Sequence, residues 1–122
     1  MSDRELLEFA AKAAGIHVPT KKDYPWAYID ESGIFRDISC AGDGTRMSRW
    51  NPLADDGDAM RLMVRLRLEP RFIDNSHSNG AEPSRVTLHN VAGIVENIDG
   101  DPLSATRRAI VRAAAEIGKE KA

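Results

Sequence analysis

Apolar residues recur along this chain with two periods, and the changes of period divide it into elements. Leu6, Leu7, Ala10, Ala13 and Ala14 fall on one helical face. Ser2 precedes them as an N-cap, with Glu5 at the capping-box spacing, and Gly15 can close the helix in the left-handed conformation. The pattern predicts a helix over 3–14 whose alanine-rich face lets a neighbour lie close. A second stripe, Ala59, Leu62, Met63 and Leu66, predicts a helix over 56–67, stopped by Pro70, with Arg61 and Arg65 on its other side. A third, Leu103, Ile110, Ala113, Ala114 and Ile117, follows Asp101 as N-cap and Pro102 at the first helical position. Gly118 is read as its stop, with Lys119 and Lys121 near the negative end of the helix dipole.

Between the helices the pattern turns to strands. The stretch "WAYIDESGIFRDI" reads as a hairpin, with Trp26, Tyr28 and Ile29 on one strand and Ile34, Phe35 and Ile38 on the return. Ser39 to Pro52 reads as an irregular surface loop, and Asn75 to Ser84 as a polar, mobile one. Residues 71–73 are a candidate short strand. Within 85–98, Val86 and Leu88 alternate with Thr87 and His89, and Gly93 marks a turn or bulge between two strands. Asp99-Gly100 is a further turn. The order α-β-β-α-β-β-α, with an added strand at 71–73, predicts a single α+β domain over 1–122. Its architecture is an antiparallel sheet with three helices packed on it, extending to a three-layer α/β/α sandwich if helices cover both faces.

Composition narrows the class. With 42% hydrophobic and 30% charged residues in 122, a soluble globular chain with its own core is expected. The net charge of -2 argues against a polycationic nucleic-acid coat. A single cysteine, Cys40, forms no internal disulfide, and neither a signal peptide nor a membrane span is visible, so a cytoplasmic protein is expected.

Asp55, Asp56 and Asp58 crowd around Gly57 and raise the question of a metal site. A hard cation wants convergent carboxylates, and Asp43 is a further candidate from the loop, but neighbours at a helix start point apart and the EF-hand spacing is absent. A helix cap explains the aspartates better: Asp55 as N-cap, Asp58 where the dipole favours negative charge. Gly57 weakens that first turn, which suggests that another part of the chain approaches the backbone there. His17, His77 and His89 lack metal-ligand spacing, with His89 read as a half-exposed strand residue. Cys40 has no nucleophile signature, and "GDGT" at 42–45 is too short for a phosphate loop. No metal, cofactor or catalytic residue is assigned.

Arginines and tryptophan give the better functional hints. Arg61 and Arg65 on the second helix, Arg67 at its end, and Arg107, Arg108 and Arg112 on the third would form a basic patch if the helices shared one side. The bland alternative pairs them locally, as Asp58 with Arg61 and Arg112 with Glu116. Trp26 and Trp50 are either core anchors or, as sharper readings, partner-facing hot spots.

The segments "WNPLADDGDAMRLMVRL" and "SATRRAIVRAAAEIGKE", with "DRELLEFAAKAAGI" before them, resemble the phage ABA sandwich domain family of small bacteriophage and prophage proteins. Residues 70–98 lie outside the resemblance. It implies a sheet between helical layers and a phage origin, and it brings no catalytic residues. The expectation is a non-enzymatic accessory protein, in the cytoplasm of a bacterial host, that binds a host or phage macromolecule. Trp50, Arg61, Arg65, Arg107, Arg108 and Arg112 are the candidate contacts. Nucleic-acid binding through the arginines, and an enzyme with a dispersed site around Asp43, Asp56 or His89, are the alternatives. The partner and the oligomeric state stay open.

Overall fold

A computed structural model describes residues 2–16, 34–37, 47–74 and 84–121. The first helix, α1, spans Asp3–Ala14 and is closed at both ends as its sequence requires. The Ser2 hydroxyl accepts from the Glu5 N–H at 3.2 Å. Gly15 adopts φ 73°, and its N–H reaches the last carbonyls of the helix. Leu6, Leu7, Ala10, Ala11, Ala13 and Ala14 are all buried.

The next two elements, β1 (Ile34–Asp37) and β2 (Met47–Trp50), pair antiparallel with Ile34 opposite Trp50. This corrects the expected loop over 39–52, because 47–50 is a strand. "MSRW" has no clean apolar alternation, so only its partner reveals it. Trp26, Tyr28 and Ile29, along with residues 75–83, lie outside the described residues.

The second helix, α2, spans Asp56–Leu66 and buries Ala59 and Leu62, with Met63 and Leu66 packed against the core at its edge. It ends at Arg67, which takes the left-handed conformation (φ 54°). This is the single non-glycine residue with positive φ among the described residues, at a position where glycine is the unstrained choice. The following turn is pinned by Asn90. Its side-chain amide donates to the Arg67 carbonyl at 2.8 Å and accepts from the Glu69 N–H at 3.0 Å.

The strand candidate at 71–73 is confirmed as β3 (Pro70–Ile73). It pairs antiparallel with β4 (Arg85–Leu88), which pairs with β5 (Val95–Asn97). The sheet order is β3-β4-β5. Gly93 and Gly100 both have positive φ, as turn residues. His89 lies beyond the end of β4, in an exposed turn, and is not the strand residue expected.

The third helix, α3, spans Pro102–Glu120 and is the hub. It packs on α1, on α2 and on all three strands of the larger sheet. Phe72, Val86 and Glu96 stand opposite one another and so share a face of the sheet. Val86 is completely buried on that face. The chain is therefore α+β, with an antiparallel sheet and three helices gathered through α3. Helix α3 lies on this sheet, and α1 and α2 pack against α3. No described helix is long and apolar enough to cross a membrane.

Two details of α3 differ from the sequence reading. Leu103 is exposed at the first turn, off the core stripe. Gly118 does not stop the helix. It lies inside it, buried, with the position of a would-be Cβ falling on the backbone carbonyl of Phe9 in α1. Around it, Ala10, Ala11 and Ala14 of α1 and Ala113, Ala114 and Ala115 of α3 are buried in the same core. Small side chains allow two helix backbones to approach this closely.

That packing fixes the sign of a mutation. In an open helix Gly→Ala stabilises by about 1 kcal/mol. Here Gly118→Ala is expected to destabilise by about 2 kcal/mol, because the methyl must push α1 away. A urea denaturation midpoint that rises in the variant would refute the close approach.

Candidate functional site

The three aspartates of the "ADDGD" stretch do not converge. Asp55 and Asp58 share Arg61, at 3.8 and 2.7 Å, while Asp56 is engaged with another element. The Asp55 carboxylate accepts from the Asp58 N–H at 2.8 Å, as an N-cap should. Asp58 is the buried one, 7% exposed. One of its oxygens accepts from the Asn51 N–H at 3.0 Å, and the other receives Arg61 at 2.7 Å. Asp56 points toward α3 and meets Arg107 at 2.6 Å. Among the described residues no three His, Cys, Asp or Glu side chains gather as a metal site would require.

These bonds fasten the preceding loop instead. The Asn51 side chain accepts from the Leu53 N–H at 3.1 Å, and its carbonyl accepts from Asp55 N–H at 2.8 Å. Arg107 donates a second time, to the Leu53 carbonyl at 2.8 Å. Trp50, 2% exposed, and Pro52 are fully buried beneath. Trp50 is thus the core anchor of this segment and offers no surface to a partner. The expected reason for Gly57 also changes. What approaches it is the Arg61 guanidinium of its own helix, which a Cβ would crowd at 3.1 Å.

Arg108 and Arg112 close a second set of ion pairs. Both reach Glu96, at 3.2 and 3.3 Å, and Arg108 also meets Asp3 at 3.1 Å. Arg112 donates to the Val95 carbonyl at 2.9 Å. The expected pair of Arg112 with Glu116 is not formed, since Glu116 binds Lys119 at 3.1 Å. These groups, with Leu6, line an open groove of about 370 Å³ between α1, α3 and β5. Its three cations face Asp3, Glu96 and Glu116, so its charge is balanced from within.

The candidate arginines therefore divide. Arg61 belongs to Asp58, Arg107 to Asp56, and Arg108 and Arg112 to Glu96. They do not form one basic patch, because carboxylates of the same chain sit among them. Arg65 is the exception: it is exposed and in no ion pair among the described residues. His89 is held by its backbone, its N–H donating to the Glu69 carbonyl at 2.9 Å. His17, His77, Cys40 and Asp43 lie outside the described residues.

Sequence reasoning missed the outward face of α2. Met60 is 62% exposed and Val64 is 65% exposed, one helical turn apart and turned away from the core. Arg67 continues that line at i+7 and is exposed, with no ion pair among the described residues. Exposing two large apolar side chains on one short helix face leaves a site that burial against another surface would stabilise. The signal was present as an i, i+4, i+7 spacing of Met60, Val64 and Arg67, offset from the core stripe. It was hidden because the core stripe of the same helix explained the apolar content.

Two measurements check these assignments. Asp58→Ala is expected to cost about 2 kcal/mol in urea unfolding, because it strands the Asn51 N–H and unpairs Arg61. Asp55→Ala removes a cap and should cost about 1 kcal/mol. Equal costs would deny Asp58 its special position. Second, millimolar magnesium should leave the backbone amide resonances of residues 54–59 in place, and a saturable shift there would restore the metal reading.

Comparisons of the chain with protein-family models, curated proteins and solved structures gave no match.

Proposed function

We propose that the chain is a small, non-enzymatic phage accessory protein that acts in the cytoplasm of a bacterial host by binding a host or phage protein. The observation that supports this most is the outward face of α2, with Met60 and Val64 exposed on one side of a capped helix. An exposed apolar pair continued by Arg67 suits a protein surface that buries apolar groups at its centre and pairs charges at its rim. The resemblance of "WNPLADDGDAMRLMVRL" to phage ABA sandwich proteins supports the phage origin. The nucleic-acid alternative needs Arg61, Arg107, Arg108 and Arg112 on a common basic surface, and carboxylates of this chain already hold those four. For an enzyme, Asp56 is committed to Arg107, and His89 sits in an exposed turn.

A tagged pull-down from host lysate, with and without nuclease, tests the reading. The expected result is one stoichiometric protein that survives nuclease and is lost with Val64→Asp. Val64 is exposed, so this variant should fold as the parent does. Capture abolished by nuclease, or unchanged by the substitution, would overturn the reading.

A further inference from the structure

The tripeptide Asp-Gly-Asp occurs twice among the described residues, at 56–58 and at 99–101, and the fold treats the two Asp-Gly steps oppositely. At Asp56-Gly57 the carboxylate is held by Arg107 at 2.6 Å. Both residues sit in the first turn of α2, where a helical ψ keeps the following nitrogen away from the side chain. At Asp99-Gly100 neither group is held. Both residues are exposed, in the bend that joins β5 to α3. The Asp99 carboxylate is in no hydrogen bond or ion pair among the described residues, and the Gly100 N–H is in none either. Gly100 has φ 93°, and no atom beyond its chain neighbours lies within 4 Å of where a Cβ would stand. Without a side chain, its nitrogen is open to close approach.

We propose that Asp99 is a site of spontaneous modification, at which the main chain rearranges to an isoaspartyl linkage. The Gly100 nitrogen gives up its proton and attacks Cγ of Asp99. A C–N bond forms, and one oxygen of the protonated carboxyl group leaves as water, taking that proton and the carboxyl's own. The product is a five-membered succinimide. Water then adds to one of its two carbonyls. Opening at Cγ returns aspartate. Opening at the main-chain carbonyl leaves the chain running through Cβ and Cγ, with the former main-chain carbonyl carbon now a free carboxylate. One water is lost and one is gained, so no oxidant or cofactor is needed and the mass is unchanged. The new linkage is a substrate for carboxyl methyltransferases of the isoaspartyl class. The modification is independent of what α2 binds.

Its position gives the rearrangement a structural effect. On one side the Ile98 N–H donates to the Ser84 carbonyl at 2.9 Å, holding the end of β5 to the strand before it. On the other, Asp101 caps α3 by accepting from the Leu103 N–H at 3.1 Å. Asp99 and Gly100 alone join these two anchors. An extra main-chain carbon lengthens that short joint, and the exposed cap is the anchor that gives way. The first turn of α3 then frays.

The full chain, held folded at physiological temperature and neutral pH for several weeks, tests this. Tryptic peptides are read by electron-transfer fragmentation, which distinguishes the two linkages residue by residue. Asp99 is thereby scored apart from Asp43-Gly44 and Asn79-Gly80, which lie outside the described residues. Isoaspartate should accumulate at Asp99 several-fold faster than at Asp56. In a urea-unfolded sample the two steps should react alike, because their local sequence is the same. Asp99→Glu would have to close a six-membered ring and should show no such product at that position. On ageing, the wild type should lose more urea resistance than this variant does. An Asp99 that stays normally linked in the folded chain overturns the inference, and so does a ratio of the two sites that unfolding leaves unchanged. Equal losses of urea resistance would overturn the effect on α3.

Discussion

The contact between Gly118 and the Phe9 carbonyl sets the distance between α1 and α3, and the rest of the molecule is arranged around α3. With α1 held against one flank, α3 presents Arg107 to α2 and its loop, and Arg108 and Arg112 to β5. A helix placed farther away would need larger core side chains than the alanines that fill this seam. It would also carry its arginines out of reach of Leu53, Asp56 and Glu96. Packing comes first here, and the ion pairs are its consequence.

Much of the polar chemistry described is cross-bracing between elements. The buried Asp58 joins the loop after β2 to α2, Arg107 joins that loop to α3, and Glu96 joins β5 to α3 and, through Arg108, to α1. A short sheet and a short hairpin supply little stability alone. Charged hydrogen bonds at their seams fix where they sit, while apolar burial beneath them supplies most of the energy. Met60 and Val64, on the outward face of α2, take no part in this bracing among the described residues.

Local signals carried the helices. Caps at Ser2, Asp55 and Asp101 and the apolar stripes placed all three to within a few residues, because capping and periodicity are properties of neighbouring residues. The third strand of the sheet was legible for the same reason. What failed was nonlocal. The strand at 47–50 depends on β1, the interior place of Gly118 depends on Phe9, and the partners of Arg107 and Arg112 lie many residues away. Of the candidate site, the sequence showed which arginines existed and not which carboxylates would take them. It offered Trp50 as either a core anchor or a partner contact, and the core claims it.

Glu96 has one more consequence. On hydropathy alone β5 would be read the other way round, with Val95 turned inward and Glu96 outward. The sheet does the opposite: Glu96 shares the face of Val86, while Val95 is left nearly half exposed. Sliding this three-residue strand by one position would swap the two, which hydrophobic burial favours. The slide would also tear the carboxylate from both Arg108 and Arg112. The two guanidinium groups thus act as a register lock, holding the edge strand in the alignment that its own hydrophobicity would abandon.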